Sequence, residues 1–382
     1  EGPSLVVMPA SLLVNWEREL LQFAPTLQVL RHAGSNRTGV ISGLKGHDVV
    51  LCSYETVLSD LSFLEEITWN IIALDEAQQI KNPDSQRSRV VKSLKCRVPV
   101  AITGTPVENY LTDMWSLYEF VLPELLGDRE SFEEEYENNV EAAESLGQLV
   151  KNFTVRRKVL EVAQDLPPRI DALVPFDPPF NTRHEYDSLV ESTPNKFMIS
   201  TSLRVLCAHS EKHIEKRQFN ESPKVQRLLS ISAEVFQQNQ KILVFASFTN
   251  TLDRLRSAMF HLQHDFPKMH VEVIDGRLPS LLRQEVIDAF NDSNEPGCLL
   301  LNPSAAGVGL NITGANHVVH FNPEWNPAKT EQATARAYRK KQTLPVFVSH
   351  FYYQSTVEQD VVERADEKRR LAAAVYSGVS AD

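Results

Sequence analysis

Short apolar runs separated by segments of helical periodicity make up the first third of the chain. After the first run, apolar residues recur at helical spacing at Leu13, Trp16, Leu20 and Phe23, and Ser11 precedes this predicted helix. Because strands that alternate with helices usually form parallel βαβ units, we predict an open sheet with functional loops at the strand ends. The predicted strands are residues 5–8, 29–31, 48–52, 71–74 and 98–102.

A second series of the same kind begins after residue 222. A last helix is predicted to follow Ser355, because Glu358 stands three positions later, at the spacing of a capping box. The predicted strands of this series are residues 241–245, 270–274, 298–301, 317–321 and 346–351, with a helix at residues 280–290.

The stretch between the two series has a different pattern. Residues 110–159 have helical periodicity, and the acidic run at residues 133–137 indicates a solvated helix face. Residues 165–179 contain five prolines and no helical period, which predicts a linker. Residues 181–220 are predicted to form a short helical insertion. The pattern therefore predicts an α/β fold with two parallel sheets in tandem: a first domain at 1–165, a linker with its insertion at 166–222, and a second domain with a C-terminal helix at 223–382.

Composition excludes several classes of protein. The chain has 382 residues and a net charge of −11, which excludes a histone-like polycation but not a local DNA-binding groove. Its hydrophobic content of 42% can build a sizeable core, so global disorder is not expected. No apolar run approaches the roughly 20 residues that cross a bilayer, so we expect no membrane partner.

The four cysteines lie far apart in the sequence. They form no Cys-x-x-Cys pair, which excludes a zinc ribbon and a thioredoxin-type site. Their spacing is not that of a small disulfide scaffold, so a reducing cytosol is the expected compartment. We therefore predict a cytoplasmic location, or a nuclear one in a eukaryote.

Two acidic residues follow a buried apolar strand. Asp75 can hold a hydrated Mg²⁺, and Glu76 can orient or deprotonate a water molecule. The next strand ends in Thr103 and Gly104, in a run of small residues that predicts a tight turn able to sense a neighbouring site. The two strand ends together predict a phosphoryl-transfer site.

With these residues in view, nearly the whole chain resembles the Snf2 family of superfamily 2 ATPases, with its motifs in the same order. In the first series, the matching segments are residues 5–17 (motif Ia), 50–56 (Ib), 75–78 with 80–86 (II), and 103–106 with Glu108 and Asn109 (III). Residues 153–158 and 165–168 match the stretch before the linker between lobes. In the second series, they are residues 241–248 (IV), 275–276 with Arg283, 306–313 (V), 325–327, and 332–342 (VI).

The resemblance implies two tandem RecA-like lobes that use ATP and Mg²⁺. Asp75 would hold the metal, Glu76 would act on the water, and Arg336 and Arg339, one helical turn apart on one helix face, would offset the negative charge that develops on the phosphoryl oxygens. The residues that would couple ATP to the rest of the protein are Gln78, Thr103, Gly104, Gly307, Gly309 and Gln332.

The resemblance also implies contacts to double-stranded DNA. Such contacts go to phosphates, so binding is expected to be sequence-tolerant and sensitive to salt. Trp325 has core packing as an equally weighted alternative, and the helical spacing of Trp16 favours core packing over DNA contact. The implied contact residues are Ser11, Asn15, Ser53, Tyr54, Lys81, Asn82, Ser247, Asn311 and Trp325.

The sequence departs from the family pattern in several places. No Gly-Lys-Ser or Gly-Lys-Thr occurs in the chain, so the phosphate-binding loop of the first lobe is expected upstream of residue 1, and residues 1–382 alone are expected to be inactive. Glu324 stands where many members have a tryptophan, and Tyr338 where a histidine is usual. These departures indicate a divergent, bacterial branch, for which a DNA-defence or repair motor is the analogy.

The sequence therefore predicts an ATP-dependent translocase on double-stranded DNA, with other proteins or further domains of a longer chain as partners. A strand-separating helicase or restriction-type motor is the alternative among enzymes. A catalytically silent DNA-binding module is the alternative from another class.

Overall fold

The apolar runs of the sequence form two separate parallel sheets in the computed structural model. The structure describes residues 2–34, 37–105, 107, 110–136, 138–157, 166–193, 196–209, 219–304, 310–339 and 342–377. The chain forms two units, one of Glu1–Arg156 with Lys368–Asp382 and the other of Arg157–Glu367.

The first sheet lies in the first unit, and its strands follow the order β2-β3-β1-β4-β5, all parallel. The central strand β1 is buried over most of its length, as its continuous Leu-Val-Val-Met run requires when both faces are covered. The strands are β1 (Ser4–Met8), β2 (Val29–Arg31), β3 (Val49–Ser53), β4 (Trp69–Asp75) and β5 (Cys96–Ile102). The predicted α/β arrangement of parallel strands is confirmed here.

Four helices of this unit begin at residues whose side chains cap them. Ser53, Ser85, Asp128 and Asn139 each accept a backbone N–H three residues later, which satisfies a donor that the first turn leaves unpaired. The helices are α1 (Leu13–Phe23), α2 (Ile41–Lys45), α3 (Tyr54–Ser59), α4 (Leu61–Leu64), α5 (Gln86–Ser93), α6 (Thr112–Val121), α7 (Arg129–Glu135) and α8 (Val140–Val150).

The first predicted helix differs from the expectation at both ends. Ser11 lies in a 3-10 turn, Ala10–Leu12, that precedes α1. Phe23, the last residue of α1, is 73% exposed, so the predicted apolar stripe is buried only at its start, where Leu13 is covered.

The second sheet lies in the second unit and has the strand order β6-β11-β10-β7-β9-β8, again all parallel. Its strands are β6 (Arg169–Phe176), β7 (Lys241–Phe245), β8 (His270–Ile274), β9 (Gly297–Leu301), β10 (His317–His320) and β11 (Val346–Tyr353). The predicted strands at 241–245 and 270–274 match these bounds, and the others differ by one or two residues at an end.

The prediction of a linker at residues 165–179 is wrong, because this segment contains β6. All eight residues of β6 pair in register with β11, from Arg169 opposite Val346 to Phe176 opposite Tyr353. An edge strand tolerates Pro175, which has no N–H to donate. Its solvent-facing residues also hide the apolar alternation by which strands are recognised.

The remaining helices include the predicted insertion, which forms α9 and α10 as part of the second unit. They are α9 (Phe180–Ser192), α10 (Lys196–Ala208), α11 (Pro223–Gln237), α12 (Thr249–Met259), α13 (Ser280–Asp292), α14 (Pro327–Thr334) and α15 (Val357–Ser377). Among the described residues, no helix combines the length and apolar character needed to cross a membrane.

The start of α15 is shifted by one residue from the predicted capping box. Thr356, not Ser355, accepts the N–H of Glu358, at 3.2 Å. The Glu358 carboxylate instead turns inward, where its Oε2 accepts from the buried Lys224 Nζ at 2.5 Å and from the Tyr353 N–H at 2.8 Å. A glutamate that suggested a helix cap therefore forms a buried ion pair.

The end of α15 belongs to the first unit, whereas the sequence predicted a second domain that extends to residue 382. Leu371 and Val375 lie in a buried cluster with residues of α6 and α8. Gly147 of α8 allows this approach, because a Cβ built there would lie 1.9 Å from the Val375 carbonyl oxygen. The second unit ends at Glu367, earlier than the predicted boundary.

Candidate functional site

Asp75 is the last residue of β4, and three hydrogen bonds surround it. Its Oδ1 accepts the backbone N–H of Glu76 at 2.9 Å, and its Oδ2 accepts the indole N–H of Trp16 at 2.7 Å. The Tyr54 hydroxyl donates to its backbone carbonyl at 2.9 Å. Both the carboxylate and the main chain of Asp75 are therefore held in place.

Glu76, next to it, has an unusual backbone. Its φ of 50° and ψ of 49° lie in the left-handed region, which costs free energy for a residue with a Cβ and is typical of functional sites. The Gln78 amide donates to Glu76 Oε2 at 2.5 Å, and Gln78 Oε1 accepts from the Thr103 hydroxyl at 2.7 Å. The Thr103 oxygen in turn accepts the Thr105 N–H at 3.0 Å. The structure therefore connects Glu76, Gln78 and Thr103 through hydrogen bonds, and Gly104 lies in the turn that follows Thr103.

The residues at this edge fit a hydrated Mg²⁺. Each carboxylate oxygen of Asp75 accepts one described hydrogen bond and has a second lone pair available. In the part of the chain that the structure describes, no group of three or more His, Cys, Asp or Glu side chains could hold a metal ion. Mg²⁺ is usually bound through one or two carboxylates, waters and substrate phosphates.

The predicted DNA contacts of the first unit fall into two groups. Ser11 and Asn15 are exposed, and so is Asn82, whose Oδ1 accepts the Asp84 N–H at 2.9 Å. Lys81 is partly exposed. All four positions are at least partly exposed on the surface of the unit.

Ser53 and Tyr54, by contrast, are buried. The Ser53 hydroxyl caps α3, and Tyr54 is 1% exposed. Burial, together with the charge of Asp75, raises the pKa of the Tyr54 phenol, so this hydroxyl stays a donor. The guanidinium of Arg87 lies 5.5 Å from the centre of the Tyr54 ring. Neither Ser53 nor Tyr54 presents its side chain to solvent, so their contact with DNA stays a prediction that would use the backbone of this segment.

In the second unit, the predicted arginines do not lie on a helix. Helix α14 ends at Thr334, and Arg336 and Arg339 occupy the turn and bend that follow. The Arg336 carbonyl accepts the Ile312 N–H at 3.0 Å, and Arg339 Nη1 donates to the Leu310 carbonyl at 3.3 Å. The prediction of one helix face is wrong, because these bonds to residues 310–312 replace continued helical pairing.

Gln342 is the residue that holds this turn. Its buried amide nitrogen donates to the carbonyls of Ala315, Thr313 and Ala337 at 2.9, 3.3 and 3.3 Å. Its amide oxygen accepts the N–H groups of the next two residues, at 3.0 and 3.1 Å. The sequence suggested Gln342 only as part of a motif match. In the structure, its side-chain amide binds five backbone groups in and around the turn that carries Arg336 and Arg339.

Other predicted residues of the second unit have mixed positions. Gln332 is half-buried on α14, and the half-buried Asn311 uses its carbonyl to accept from Asn291 Nδ2 at 2.9 Å. Gly307 and Gly309 lie outside the described residues, as do Glu108 and Asn109 of motif III.

Ser247, two residues after the end of β7, lies in a polar network that the sequence did not suggest. Its N–H donates to Asn322 Oδ1 at 3.1 Å, its hydroxyl donates to Glu324, and its carbonyl accepts from Asn302 at 2.8 Å. Glu324 also lies 3.9 Å from the Arg204 guanidinium. The residue noted as a departure from the family pattern thus orients a predicted DNA contact.

Trp325 is half-buried and packs against the cluster formed by residues of α10, β11 and α15. The Arg364 guanidinium lies 5.6 Å from its ring centre. This packing favours the core role that was the alternative to DNA contact.

Comparison with known proteins agrees with this arrangement. The family model of the SNF2-related domain matches residues 1–264, and that of the helicase conserved C-terminal domain matches residues 223–341. The chain belongs to the SNF2-related family. The two family models confirm the sequence-based assignment.

Similar proteins include bacterial ones. The putative ATP-dependent helicase/translocase YwqA of Bacillus subtilis is 32% identical over 97% of this chain and 42% of its own length. Zorya protein ZorD of Escherichia coli is 33% identical over 94% of this chain and 38% of its length. This chain thus spans less than half of each relative. An SWI2/SNF2 ATPase core of Sulfolobus solfataricus in complex with double-stranded DNA is 30% identical, with 99% of this chain and 83% of that chain covered and a TM-score of 0.45.

Proposed function

We propose that this chain carries the ATP-hydrolysing core of a motor that moves along double-stranded DNA. The observation that carries the proposal is the hydrogen-bonded set of Asp75, Glu76, Gln78 and Thr103 at the carboxyl edge of a parallel sheet. This edge is where open α/β sheets bind ligands. Similarity to a helicase/translocase over nearly the whole chain supports the same activity.

The chemistry follows from what each residue can do. Bound Mg²⁺, held by Asp75, would neutralise phosphate charge during the transfer. Glu76, held by the Gln78 amide, orients and deprotonates the attacking water. Arg336 and Arg339 bring the positive charge that offsets the charge developing on the phosphoryl oxygens.

Exposed polar residues support a role for DNA as the partner. Ser11 and Asn15 lie at and near the start of α1, and Asn82 lies in the segment that follows motif II. Hydroxyl, amide and backbone N–H groups contact phosphates without reading base sequence. Binding is therefore expected to tolerate any sequence and to weaken with salt.

The biological setting is a finer part of the proposal. We include a bacterial motor that acts in DNA defence, for which the similarity to Zorya protein ZorD of Escherichia coli is the support, and a repair motor as an analogy. YwqA and ZorD are more than twice as long as this chain. We therefore include further domains or other proteins among its proposed partners.

The Glu76→Gln variant of the full-length protein tests the mechanism. ATP turnover stimulated by duplex DNA should fall about 100-fold or more, because general-base catalysis contributes about 10²–10⁴. The affinity for duplex DNA in a filter-binding or anisotropy assay should stay within about twofold, since the backbone is preserved. Glu66→Gln, at an exposed position of the same unit, is the matched control and should change neither quantity.

Turnover that persists in Glu76→Gln would show that this mechanism is wrong. Wild-type protein that binds DNA without hydrolysing ATP would favour the silent binding module instead. Displacement of a third strand from a triplex, without release of a strand from the duplex, would distinguish the translocase from a strand-separating helicase.

A further inference from the structure

Two segments of the first unit are predicted from the sequence to contact DNA. Each of them contains a side chain that donates a hydrogen bond to Asp75. One is the β1–α1 segment, which carries Ser11 and Asn15 and then Trp16. The other is the β3–α3 segment, which carries Ser53 and then Tyr54. In each segment, a residue assigned to DNA is followed directly by a residue that is hydrogen-bonded to Asp75.

Trp16 holds the carboxylate itself. It is half-buried in the first turn of α1, while its neighbour Asn15 is exposed on another side of the helix. The indole N–H donates to Asp75 Oδ2 at 2.7 Å. Because the indole has one donor and no acceptor, the bond exists only while Asp75 presents an oxygen to it.

Tyr54 holds the main chain of the same residue. Its ring is 1% exposed, and its hydroxyl donates to the Asp75 carbonyl at 2.9 Å. Ser53, directly before it, accepts the Thr56 N–H at 3.1 Å and so fixes the start of α3. A movement of the Ser53 segment is thereby transmitted to the Asp75 backbone.

Strand pairing makes these contacts a connected set. β1 pairs with both β3 and β4, so the loops after β1, β3 and β4 leave the same edge of the sheet. Hydrogen bonds weaken steeply as their angle and length depart from the optimum. A small displacement of α1 therefore alters the hydrogen bond to the Asp75 carboxylate, and a displacement of the start of α3 alters the bond to the Asp75 carbonyl.

We propose that Trp16 and Tyr54 are positioning residues that set the Asp75 carboxylate for Mg²⁺ and pass the DNA-bound state of their segments to it. This inference rests on the proposed function and adds two residues and a route of coupling to it. The route lies within the first unit and consists of one side chain from each of two segments.

A spectroscopic experiment tests the route without using activity. The full-length protein is labelled with 5-fluorotryptophan, and the fluorine signal that disappears in Trp16→Phe is assigned to Trp16. We expect this signal to shift in Asp75→Asn and to shift in wild type when duplex DNA is added in the absence of nucleotide. Trp69 gives the control signal, because its indole donates to the Leu64 carbonyl within the same unit and its ring is fully buried.

A kinetic experiment tests the consequence. Trp16→Phe keeps the ring and removes the donor, and it should raise the Mg²⁺ concentration for half-maximal turnover about tenfold, as loss of a hydrogen bond to a charged group implies. The ratio of DNA-stimulated to basal turnover should fall as well. Trp69→Phe removes a structural donor of the same type, so it should lower the thermal midpoint without changing either quantity by more than about twofold.

Tyr54→Phe provides a second variant in case Trp16→Phe folds poorly. It should lower the DNA-stimulated ratio, but it should affect Mg²⁺ dependence less, because its partner is an uncharged carbonyl. The inference is overturned if the fluorine signal of Trp16 shifts neither in Asp75→Asn nor on addition of DNA. It is also overturned if Trp16→Phe and Trp69→Phe need the same Mg²⁺ concentration for half-maximal turnover. Failure of the proposed function is a different result, since it would appear as absent turnover in wild type while the fluorine signal still responds to Asp75→Asn.

Discussion

The Asp75 edge of the first unit and the Arg336 turn of the second are built in opposite ways. At the Asp75 edge, side chains bind side chains: Trp16 to Asp75, and Gln78 to Glu76. In the Arg336 turn, one buried side chain, that of Gln342, binds only backbone groups. The Asp75 carboxylate is thus bound by another side chain, whereas the turn that carries Arg336 and Arg339 is bound by the amide of Gln342 through backbone groups.

This difference predicts different consequences of mutation. Half-buried side chains at a sheet edge can lose a hydrogen bond while strand pairing keeps the backbone in place. Removal of a buried amide that binds several carbonyls lowers the free energy of unfolding more, because each carbonyl left without a partner costs roughly 1–3 kcal/mol. Variants at the first site should therefore affect turnover, and variants at the second should affect folding first.

The largest effect is expected for Gln342→Ala. It removes five hydrogen bonds to backbone groups, and we expect the second unit to lose about 3 kcal/mol of stability, since water replaces only some of the lost partners. Urea unfolding followed by hydrogen exchange of residues 310–339 measures this loss.

Gln284→Ala is the matched control for that variant. Its amide donates to Asp288 one turn along the surface of α13, at 2.7 Å, which is worth only a few tenths of a kcal/mol. Equal losses of stability in the two glutamine variants would show that the Gln342 amide does not hold the turn.

A smaller effect on stability, with a clear effect on turnover, is expected for Thr103→Val. The variant keeps the shape of the side chain but removes the bonds to Gln78 and to the Thr105 N–H. ATP turnover should fall about tenfold because Glu76 loses its indirect support, while stability changes by about 1 kcal/mol or less.

Thr38→Val is its control, because the Thr38 hydroxyl also bonds a backbone N–H two residues later. Thr38 is partly exposed and its described hydrogen bonds go to His32 and Val40, so turnover of the variant should equal that of wild type. A Thr103→Val protein with normal turnover and a large loss of stability would reverse the contrast between the two units.

Sequence patterns succeeded where burial determines the backbone. The runs at 241–245 and 270–274 became strands with the predicted bounds, because their apolar residues are covered in a parallel sheet. Asp75 was identified for the same reason, as a carboxylate at the end of such a strand. The edge strand β6 was missed, since its exposed residues conceal the period and Pro175 suggests a break.

Contacts between residues distant in sequence were harder to predict. Trp16 was assigned to core packing from its helical spacing, yet its N–H reaches Asp75, which is 59 positions later. A tryptophan near the start of a helix that follows a central strand is a usable signal, because such a residue lies at the ligand edge of the sheet. The turn at Arg336 was misassigned because helical spacing continues past Thr334 while tertiary hydrogen bonds end the helix.

One lysine in each unit extends the comparison to the dependence of stability on pH. Burial lowers the pKa of Lys92 to about 8. Its ammonium donates to the Ser116 hydroxyl at 3.0 Å, and Ser116 donates to the Ile80 carbonyl at 2.6 Å, just after the Asp75 edge. In the second unit, burial also lowers the pKa of Lys241, whose ammonium donates directly to backbone carbonyls that include Ser293 O at 2.5 Å.

The smallest predicted effect is therefore a dependence of stability on pH. Between about pH 8 and the ordinary lysine pKa of about 10.4, the unfolded chain holds a proton on Lys92 that the folded chain has released, so stability rises as pH rises through this window. Lys92→Met should reduce the rise in thermal midpoint by about 2 °C, and exposed Lys95→Met should leave it unchanged. If Lys92→Met leaves the rise intact while Lys241→Met removes it, the pH response of stability comes from Lys241 in the second unit and not from Lys92.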